Sequence, residues 1–281
     1  MRLTGLRRDQ RLSRPGPLPW RVKFALAGLA VGAAAYVILL AGHSGPLAGQ
    51  FIPGGGGPAI ASQAKAFNGT PAVGALFTTS GMNDPLGEHF CTASVVDSPN
   101  RDLVLTAAHC VSGTSPNKMA FVPGYHDGHR PYGIWAVTRV IVDRNWMSSA
   151  NPDDDFAFLV VARPGRADVQ DITGGENIGT GQPPGQFVRV IGYPDNAVLP
   201  ISCQNRALRF SASQLELDCG GYSDGTSGSP LIAGMNAITG LGTVIGVIGG
   251  HEQGGYTPDV SYAAKFGPNV AALFKTAISE S

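Results

Sequence analysis

The chain has 281 residues with 20 basic and 20 acidic side chains, so its formal net charge is zero. Seven of the basic residues and one of the acidic residues lie in residues 1–23, which leaves 13 basic and 19 acidic residues in the remainder. A mildly acidic body lacks the positive surface that attracts nucleic acid. The charge therefore argues against a nucleic-acid-binding protein, and we expect no nucleic-acid partner.

The N-terminus has the pattern of an export signal. Its basic residues are followed by an apolar run, residues 24–41, that contains no charged side chain. This order is typical of a signal peptide or of a signal anchor that is retained. The run holds 18 residues, and because spanning a bilayer needs at least about 17, its length leaves both alternatives open. We predict export through residues 1–41, with membrane association through residues 22–41 if the segment is retained.

A segment of low complexity follows. Residues 42–66 are dominated by Gly, Pro, Ala and Ser, including Pro-Gly-Gly-Gly-Gly-Pro at 53–58. Such a composition buries too little apolar surface to order itself, so it predicts a flexible linker or a pro-segment. The remaining residues, 67–281, are enough for a single two-lobed β domain.

Short strands separated by turns dominate this domain. The chain contains 39 glycines and 21 prolines, which agree with many tight turns and few helices. One helix is predicted at residues 268–278, where Val270, Leu273, Phe274 and Ile278 recur at helical spacing. Apolar runs bounded by turn residues predict an all-β fold with strands at 72–79, 89–96, 103–106, 133–142, 156–161, 187–192, 208–218 and 243–249.

Three short strings carry the residues of acyl-transfer chemistry. They read Thr-Ala-Ala-His-Cys at 106–110, Asp-Phe-Ala-Phe at 155–158 and Gly-Thr-Ser-Gly-Ser-Pro at 225–230. A serine hydroxyl is a weak nucleophile near neutral pH, so it needs a base such as an imidazole, whose tautomer a carboxylate can fix. The order histidine, aspartate, serine differs from the orders in α/β-hydrolases and subtilisin-like enzymes. The strings predict a serine hydrolase.

The acidic member has to be selected from three neighbouring carboxylates. Asp153, Asp154 and Asp155 follow one another, and acidic runs are usually solvated loops. Asp155 directly precedes the apolar run 156–161, which predicts a buried strand. A carboxylate at the edge of that strand can reach a buried imidazole, so we predict Asp155 as the acidic member.

Together the strings resemble those of chymotrypsin-like (trypsin-fold) serine endopeptidases, in their secreted bacterial branch. The serine string is more similar to that of bacterial glutamyl endopeptidases than to the Gly-Asp-Ser-Gly-Gly-Pro of digestive trypsins. The resemblance implies two six-stranded antiparallel Greek-key barrels, a C-terminal helix packed on the second barrel, and cleavage of polypeptides through an acyl-enzyme. It implies His109 as general base, Asp155 as its orienter and Ser227 as nucleophile, with the N–H groups of Gly225 and Ser227 as the oxyanion hole.

Four cysteines in an exported chain suggest two disulfides, for which the sequence alone leaves three pairings open. The resemblance implies a Cys91–Cys110 bridge, which would tether the turn of His109. That pairing leaves Cys203 and Cys219 for the second bridge, just ahead of the serine string.

We expect no metal and no cofactor. The cysteines lack the close paired spacing of zinc sites. Four other candidate ligands would meet only if their loops converged, and we expect the histidines among them to be exposed loop residues. These candidates are Glu88, His89, His126 and His129.

The resemblance places the primary substrate pocket in two segments. No carboxylate matches the pocket base of trypsins, which argues against a preference for Arg or Lys. The position of the pocket histidine in glutamyl endopeptidases aligns nearest to Ile248, and His251 follows three residues later, either at the pocket rim or as a surface histidine. Gly249 and Gly250 would leave the edge of the predicted strand 243–249 open for a substrate backbone to pair with it. The candidate pocket residues are Gly221, Tyr222, Ile248, Gly249, Gly250 and His251.

One position departs from the digestive relatives. Thr226 stands where they carry an aspartate that pairs with a freed N-terminus. We therefore expect no activation by a buried ion pair. This residue and the unmatched pocket leave an alternative open, a protease-fold binding or adhesion protein with little or no turnover. Otherwise we expect a monomeric enzyme that acts on polypeptides.

Overall fold

The structure is a computed structural model that describes residues 62–81 and 84–281. Its first elements are two short strands, β1 (Ser62–Gln63) and β2 (Lys65–Ala66), separated by one residue. The predicted signal or anchor, residues 1–41, and most of the predicted linker lie outside the described residues. No helix in the described part is long and apolar enough to cross a membrane.

Six antiparallel strands of the first half form a closed barrel. They are Val73–Thr79 (β3), Leu86–Val95 (β4), Leu103–Thr106 (β5), Met119–Pro123 (β6), Trp135–Val142 (β7) and Ala157–Ala162 (β8). Their hydrogen-bonded order around the barrel is β3-β4-β5-β8-β7-β6. Leu76, Phe121, Trp135 and Leu159 are buried in one apolar cluster contributed by four of these strands, because alternate side chains along a strand point to the same face.

The second half supplies the other barrel. Its strands are Asn177–Ile178 (β9), Phe187–Gly192 (β10), Ile201–Arg206 (β11), Leu208–Arg209 (β12), Gln214–Gly220 (β13), Pro230–Ala233 (β14), Thr243–Ile248 (β15) and Val260–Lys265 (β16). Six of them are hydrogen-bonded in the order β13-β16-β15-β14-β10-β11. β12 pairs with β13, and β9 pairs with β15.

The N-terminal strands lie at the seam of the second barrel. β1 runs parallel to β13, with Ser62 opposite Cys219, and β2 runs antiparallel to β11, with Ala66 opposite Ile201. A disulfide between Cys203 and Cys219 joins β11 to β13 directly. Residues 62–66 and the Cys203–Cys219 disulfide thus bridge β11 and β13, the two end strands of the six-stranded sheet.

Helices are short except at the C-terminus. They are Ala108–Val111 (α1), Arg144–Ser149 (α2), Val169–Thr173 (α3) and Pro268–Glu280 (α4). The described residues also contain three 3₁₀ turns, at Pro116–Lys118, Pro152–Asp154 and His251–Gly254. α4 begins with proline at its first position, where the missing N–H costs no hydrogen bond.

The all-β, two-barrel prediction is confirmed, with corrections in detail. The predicted strand 208–218 is two strands, β12 and β13, because residues between them turn back and Phe210 N–H donates to the Gln214 carbonyl at 3.1 Å. The strands β6, β11, β14 and β16 were not predicted, since their short or polar stretches lack clean alternation.

The position of the C-terminal helix differs from the expectation. α4 packs mainly on β7 and β8 of the first barrel rather than on the second barrel. Phe274 of the helix lies with its ring centroid 5.4 Å from that of Phe158 in β8. The apolar stripe that predicted the helix is thus the face that covers the first barrel, where Val270, Leu273 and Ala277 are buried.

Candidate active site

His109 is fixed at the end of a barrel strand. β5 ends at Thr106, and α1 begins two residues later with Ala108 buried beneath the turn. The disulfide Cys91–Cys110 ties this helix to β4. The His109 side chain keeps 15% of its surface exposed. The turn therefore presents the imidazole to solvent on one side while holding its backbone rigidly.

Asp155 lies beside His109 and is completely buried. Its Oδ2 is 2.7 Å from His109 Nδ1, and its Oδ1 accepts the backbone N–H of His109 at 2.9 Å. The N–H of Gly250 donates to the same Oδ2 at 2.7 Å. Because a carboxylate only accepts, Nδ1 must carry the proton in this contact. The other ring nitrogen, Nε2, is then the one free to take a proton.

The other two carboxylates of the acidic run have different partners. Asp154 accepts side-chain N–H groups of Asn151 and Asn269, both at 2.6 Å. Asp153 accepts the side-chain amide of Gln214 at 2.8 Å. Within the described residues, Asp155 is the member of the run that contacts His109, and its neighbours anchor the turn that carries it.

Ser227 lies in the loop between β13 and β14, against the base of the histidine turn. Its carbonyl accepts the Thr92 N–H at 2.8 Å. The next residue, Gly228, has φ +82°, and a Cβ there would collide with the Thr92 carbonyl and the Thr106 hydroxyl. Glycine is required at this position by both the left-handed backbone and the close approach. The loop thereby contacts the strand that leads into His109.

Two backbone N–H groups beside Ser227 have no protein acceptor. In the described part of the chain, the amides of Gly225 and Ser227 donate to nothing, whereas Thr226 N–H donates to Ser223 and Gly228 N–H to Ile248. The Gly225 carbonyl is turned to Thr92, which donates its hydroxyl at 3.1 Å. Two free, neighbouring amide donors can stabilise an oxygen that develops negative charge.

A cavity of about 250 Å³ opens next to Ser227. Its walls come from the serine loop, Ile248, residues 253–258 and Ser261. Of the six candidate pocket residues, Tyr222 and Ile248 line it. Tyr222 is buried, burial raises its pKa, and its hydroxyl donates to the Val190 carbonyl at 2.9 Å.

The other candidate pocket residues lie elsewhere. Gly221, Gly249 and Gly250 do not line the cavity. His251 packs against Phe210 and Tyr262, with ring centroids 4.7 and 4.8 Å away, and does not line the cavity. The wall of this cavity is built by residues 253–258 instead, so the assignment of these four residues to substrate binding stays a prediction.

That segment, residues 253–258, was missed by sequence reasoning. Its path depends on left-handed backbone at Glu252 (φ +52°) and Gln253 (φ +55°). The Pro258 carbonyl then accepts the N–H groups of Gly221 and Tyr222 at 2.8 and 3.1 Å. No local motif signals this contact, since it joins residues far apart in the sequence.

One candidate metal ligand, His89, is placed differently from the expectation, whereas His129 is exposed and lies outside the strands as expected. His89 is not an exposed loop residue but part of β4, with 8% of its surface exposed. Cys91, His109 and Cys110 do come together, but the two cysteine sulfurs are bonded to each other. A disulfide has no thiolate left to bind a metal.

The fold and the site define a class, the chymotrypsin-like serine proteases, and comparisons with known proteins agree. The family model described as Trypsin matches residues 60–266. The chain belongs to this trypsin family, and it is a serine-type peptidase with polypeptide substrates. No curated protein matches the chain.

Solved structures show the same fold. The protease Anisep from Arthrobacter nicotinovorans is 22% identical with a TM-score of 0.64, over 77% of this chain and 99% of that chain. The thermostable serine protease AL20 from an extremophilic microorganism is 27% identical with a TM-score of 0.63, over 75% and 99%. A Glu endopeptidase in complex with MPD is 16% identical with a TM-score of 0.60, over 78% and 97%.

Proposed function

We propose that this chain is an exported serine endopeptidase that hydrolyses peptide bonds through an acyl-enzyme. His109, Asp155 and Ser227 are its catalytic residues. The observation that carries the proposal is the buried Asp155 carboxylate, which accepts His109 Nδ1–H at 2.7 Å and the His109 backbone N–H at 2.9 Å. This double contact fixes both the tautomer and the orientation of the imidazole, as a general base requires.

The reaction follows from these positions. Ser227 Oγ attacks the substrate carbonyl carbon while His109 Nε2 removes the hydroxyl proton. The carbonyl oxygen becomes an oxyanion and accepts the N–H groups of Gly225 and Ser227. When the C–N bond breaks, His109 gives its proton to the leaving amine. Water then attacks the ester by the same route, which releases the acid and regenerates Ser227.

The cavity beside Ser227 is the proposed site for the side chain that precedes the scissile bond. In the part of the chain that the structure describes, no lysine, arginine or histidine lines this cavity, and Asp224 adds a carboxylate at its wall. An acidic side chain would find no cation there and would be repelled by Asp224. We propose that glutamate is disfavoured at this position, in contrast to what the name of the Glu endopeptidase indicates for that enzyme.

Export and domain boundaries are part of the proposal. Residues 1–41 are proposed as signal peptide or signal anchor, 42–66 as linker or pro-segment, and 67–281 as the protease domain. Two disulfides fit an oxidising compartment. Because β1 and β2 pair with the second barrel, residues 62–66 contribute to the domain that follows them.

Activation by a freed N-terminus is not part of the proposed mechanism. Thr226 is 3% exposed, and its hydroxyl donates to the Ser223 carbonyl at 2.6 Å. The hydroxyl of Thr226, the residue before Ser227, thus has its hydrogen-bond partner within the same loop. We propose that the enzyme acts as a monomer and that it needs no new N-terminal ion pair.

Peptide hydrolysis by matched variants tests the proposed function. Ser227→Ala removes the nucleophile, so kcat on a protein substrate is expected to fall by several orders of magnitude while the thermal unfolding temperature stays close to that of the wild type. Ser148→Ala, on the exposed surface of α2, is the control and is expected to keep full activity. Equal activity of Ser227→Ala and wild type would contradict the proposal in favour of another site. A folded wild type without activity would favour the binding or adhesion protein.

A further inference from the structure

A second cavity adjoins the serine loop at Gly225, one of the two residues of the proposed oxyanion hole. It has a volume of about 550 Å³ and includes Gly225 in its wall. Asp224 lines both this cavity and the one beside Ser227. A peptide with its preceding side chain in the first cavity and its carbonyl oxygen on the Gly225 and Ser227 amides must continue past Gly225. The second cavity therefore faces the part of the substrate that becomes the leaving amine.

Three carboxylates surround this second cavity. Glu88 comes from β4, Asp195 from the loop after β10, and Asp224 from the serine loop. All three are exposed, and none forms a salt bridge within the described residues. Asp195 N–H donates to the Asp224 carbonyl at 2.9 Å, which holds two of the carboxylate-bearing segments together. Among the described residues, no lysine or arginine lines the cavity.

A buried polar group in the same wall also lacks a partner. His89 is 8% exposed and lines the cavity. Its Nε2 lies 3.2 Å from the Ala197 carbonyl, which only accepts, so Nε2 carries the proton there. Its Nδ1 has no hydrogen-bond partner among the described residues. This nitrogen is closed to solvent as well as unpaired, so the charged groups that a substrate can meet in this wall are the three exposed carboxylates.

The adjoining wall is apolar. Phe90 is half-buried beside His89 and lines the cavity next to the carboxylates. Arginine and lysine place a long aliphatic stem along apolar surface and keep the charged head near polar groups. The cavity offers both parts of that environment. Its apolar surface comes from Phe90, and its polar groups are the carboxylates of Glu88, Asp195 and Asp224.

We propose that this cavity selects substrates with a basic side chain at one of the first two residues after the scissile bond. The inference rests on the proposed function, because it assigns a specificity to that same site. Its three carboxylates attract an arginine and repel a glutamate at the same position. Selectivity of this electrostatic kind weakens as salt is added.

Paired peptides test the proposal. The substrates share one sequence before the scissile bond and carry Arg, Ala or Glu at the first or the second position after it. We expect kcat/KM for Arg to exceed that for Glu by about tenfold at low salt at one of the two positions, since several exposed charges act together. The double variant Glu88→Gln/Asp195→Asn is expected to reduce this Arg/Glu ratio to below about threefold.

The control is Glu280→Gln. This carboxylate lies in α4, outside both cavities, and is 46% exposed with Arg139 at 3.5 Å. The Glu280→Gln variant is expected to keep the wild-type Arg/Glu ratio of kcat/KM. Cleavage of all peptides at equal rates, or an unchanged Arg/Glu ratio of kcat/KM in the double variant, would overturn the inference. Either result would still be consistent with the proposed protease function. If no peptide is cleaved and no covalent serine label forms, the proposed function fails and this inference with it.

Discussion

At the scale of single residues, the site depends on how one carboxylate is satisfied. Asp155 accepts two N–H groups of His109 and one of Gly250, so each of its oxygens is held. Gly250 follows β15, while Asp155 precedes β8 and His109 follows β5. The carboxylate therefore joins the two barrels at the point where the histidine is presented. In the proposed mechanism, Asp155 holds the imidazole in one tautomer and one orientation.

Substitution of this carboxylate tests the assignment within the acidic run. Asp155→Asn replaces an acceptor with an amide and favours the wrong imidazole tautomer, so kcat is expected to fall by about 10⁴. Asp153→Asn is the matched control, because its partner is Gln214 rather than His109, and its kcat is expected to stay within a few fold of wild type. Steady-state kinetics on one chromogenic peptide compares the two. The reverse order of effects would show that the acidic member was misassigned.

At the scale of elements, covalent bonds hold the two segments that flank the site. Cys91–Cys110 spans 19 residues and anchors α1, whereas Cys203–Cys219 spans 16 residues and closes the seam between β11 and β13. Loops of such similar length constrain the unfolded chain by a similar amount, about 3 kcal/mol each. The two disulfides should therefore have similar effects on stability, but only the Cys91–Cys110 bridge anchors the helix that contains His109.

Removing each bridge separates stability from catalysis. Cys91→Ala/Cys110→Ala and Cys203→Ala/Cys219→Ala are both expected to lower the free energy of unfolding by about 3 kcal/mol. At a temperature where both remain folded, the first pair is expected to lose more kcat than the second, because it frees the helix that carries His109. Urea unfolding and peptide kinetics provide the two readouts. A larger loss of kcat in the Cys203/Cys219 pair would mean that the seam, not the histidine turn, controls activity.

At the scale of the whole molecule, Glu176 links the two barrels. Its backbone pairs with Val95 and Asp97 at the end of β4, and its Oε2 accepts the Gly242 N–H just before β15, at 2.6 Å. The side chain is completely buried, and Oε1 has no partner among the described residues. Burial raises the pKa of Glu176 from 4.5 to about 7.

The pH dependence of stability follows from this shift. The unfolded chain releases the Glu176 proton near pH 4.5, whereas the folded chain keeps it until about pH 7. The folded state binds more protons in this window, so its stability falls as pH rises through it. The fall amounts to about 3 kcal/mol, from 1.36 kcal/mol per unit of pKa.

Glu176→Gln isolates this contribution. The neutral amide can still accept the Gly242 N–H, so the variant is expected to be more stable than wild type at pH 8 and to approach it at pH 4.5. Urea unfolding of both proteins at the two pH values measures the difference, in which all other titrating groups cancel. If the difference in unfolding free energy between the two proteins did not change with pH, Glu176 would not be the group that causes the pH dependence of stability.

How far the sequence predicts the molecule depends on the range of the interaction. The strings around His109, Asp155 and Ser227 are local, so the family resemblance that they carry was enough to predict the fold, and the contact between Asp155 and His109 is present in the structure. The contact from Gly250 to Asp155 and the wall formed by residues 253–258 depend on backbone geometry set by distant segments. His251 illustrates the limit, because its position in the sequence suggested the pocket while its ring packs on Phe210 and Tyr262.

The most direct test of the central claim is covalent labelling of the proposed nucleophile. A fluorophosphonate loses fluoride to an activated serine hydroxyl, and the mass of the intact protein then rises by one phosphonyl group. We expect one label on folded, disulfide-bonded wild type, located at Ser227 by peptide mapping, with no label on Ser227→Ala and a much slower reaction of His109→Ala. Unlabelled wild type in its folded state, or equal labelling of Ser227→Ala, would contradict the assignment of Ser227 as an activated nucleophile.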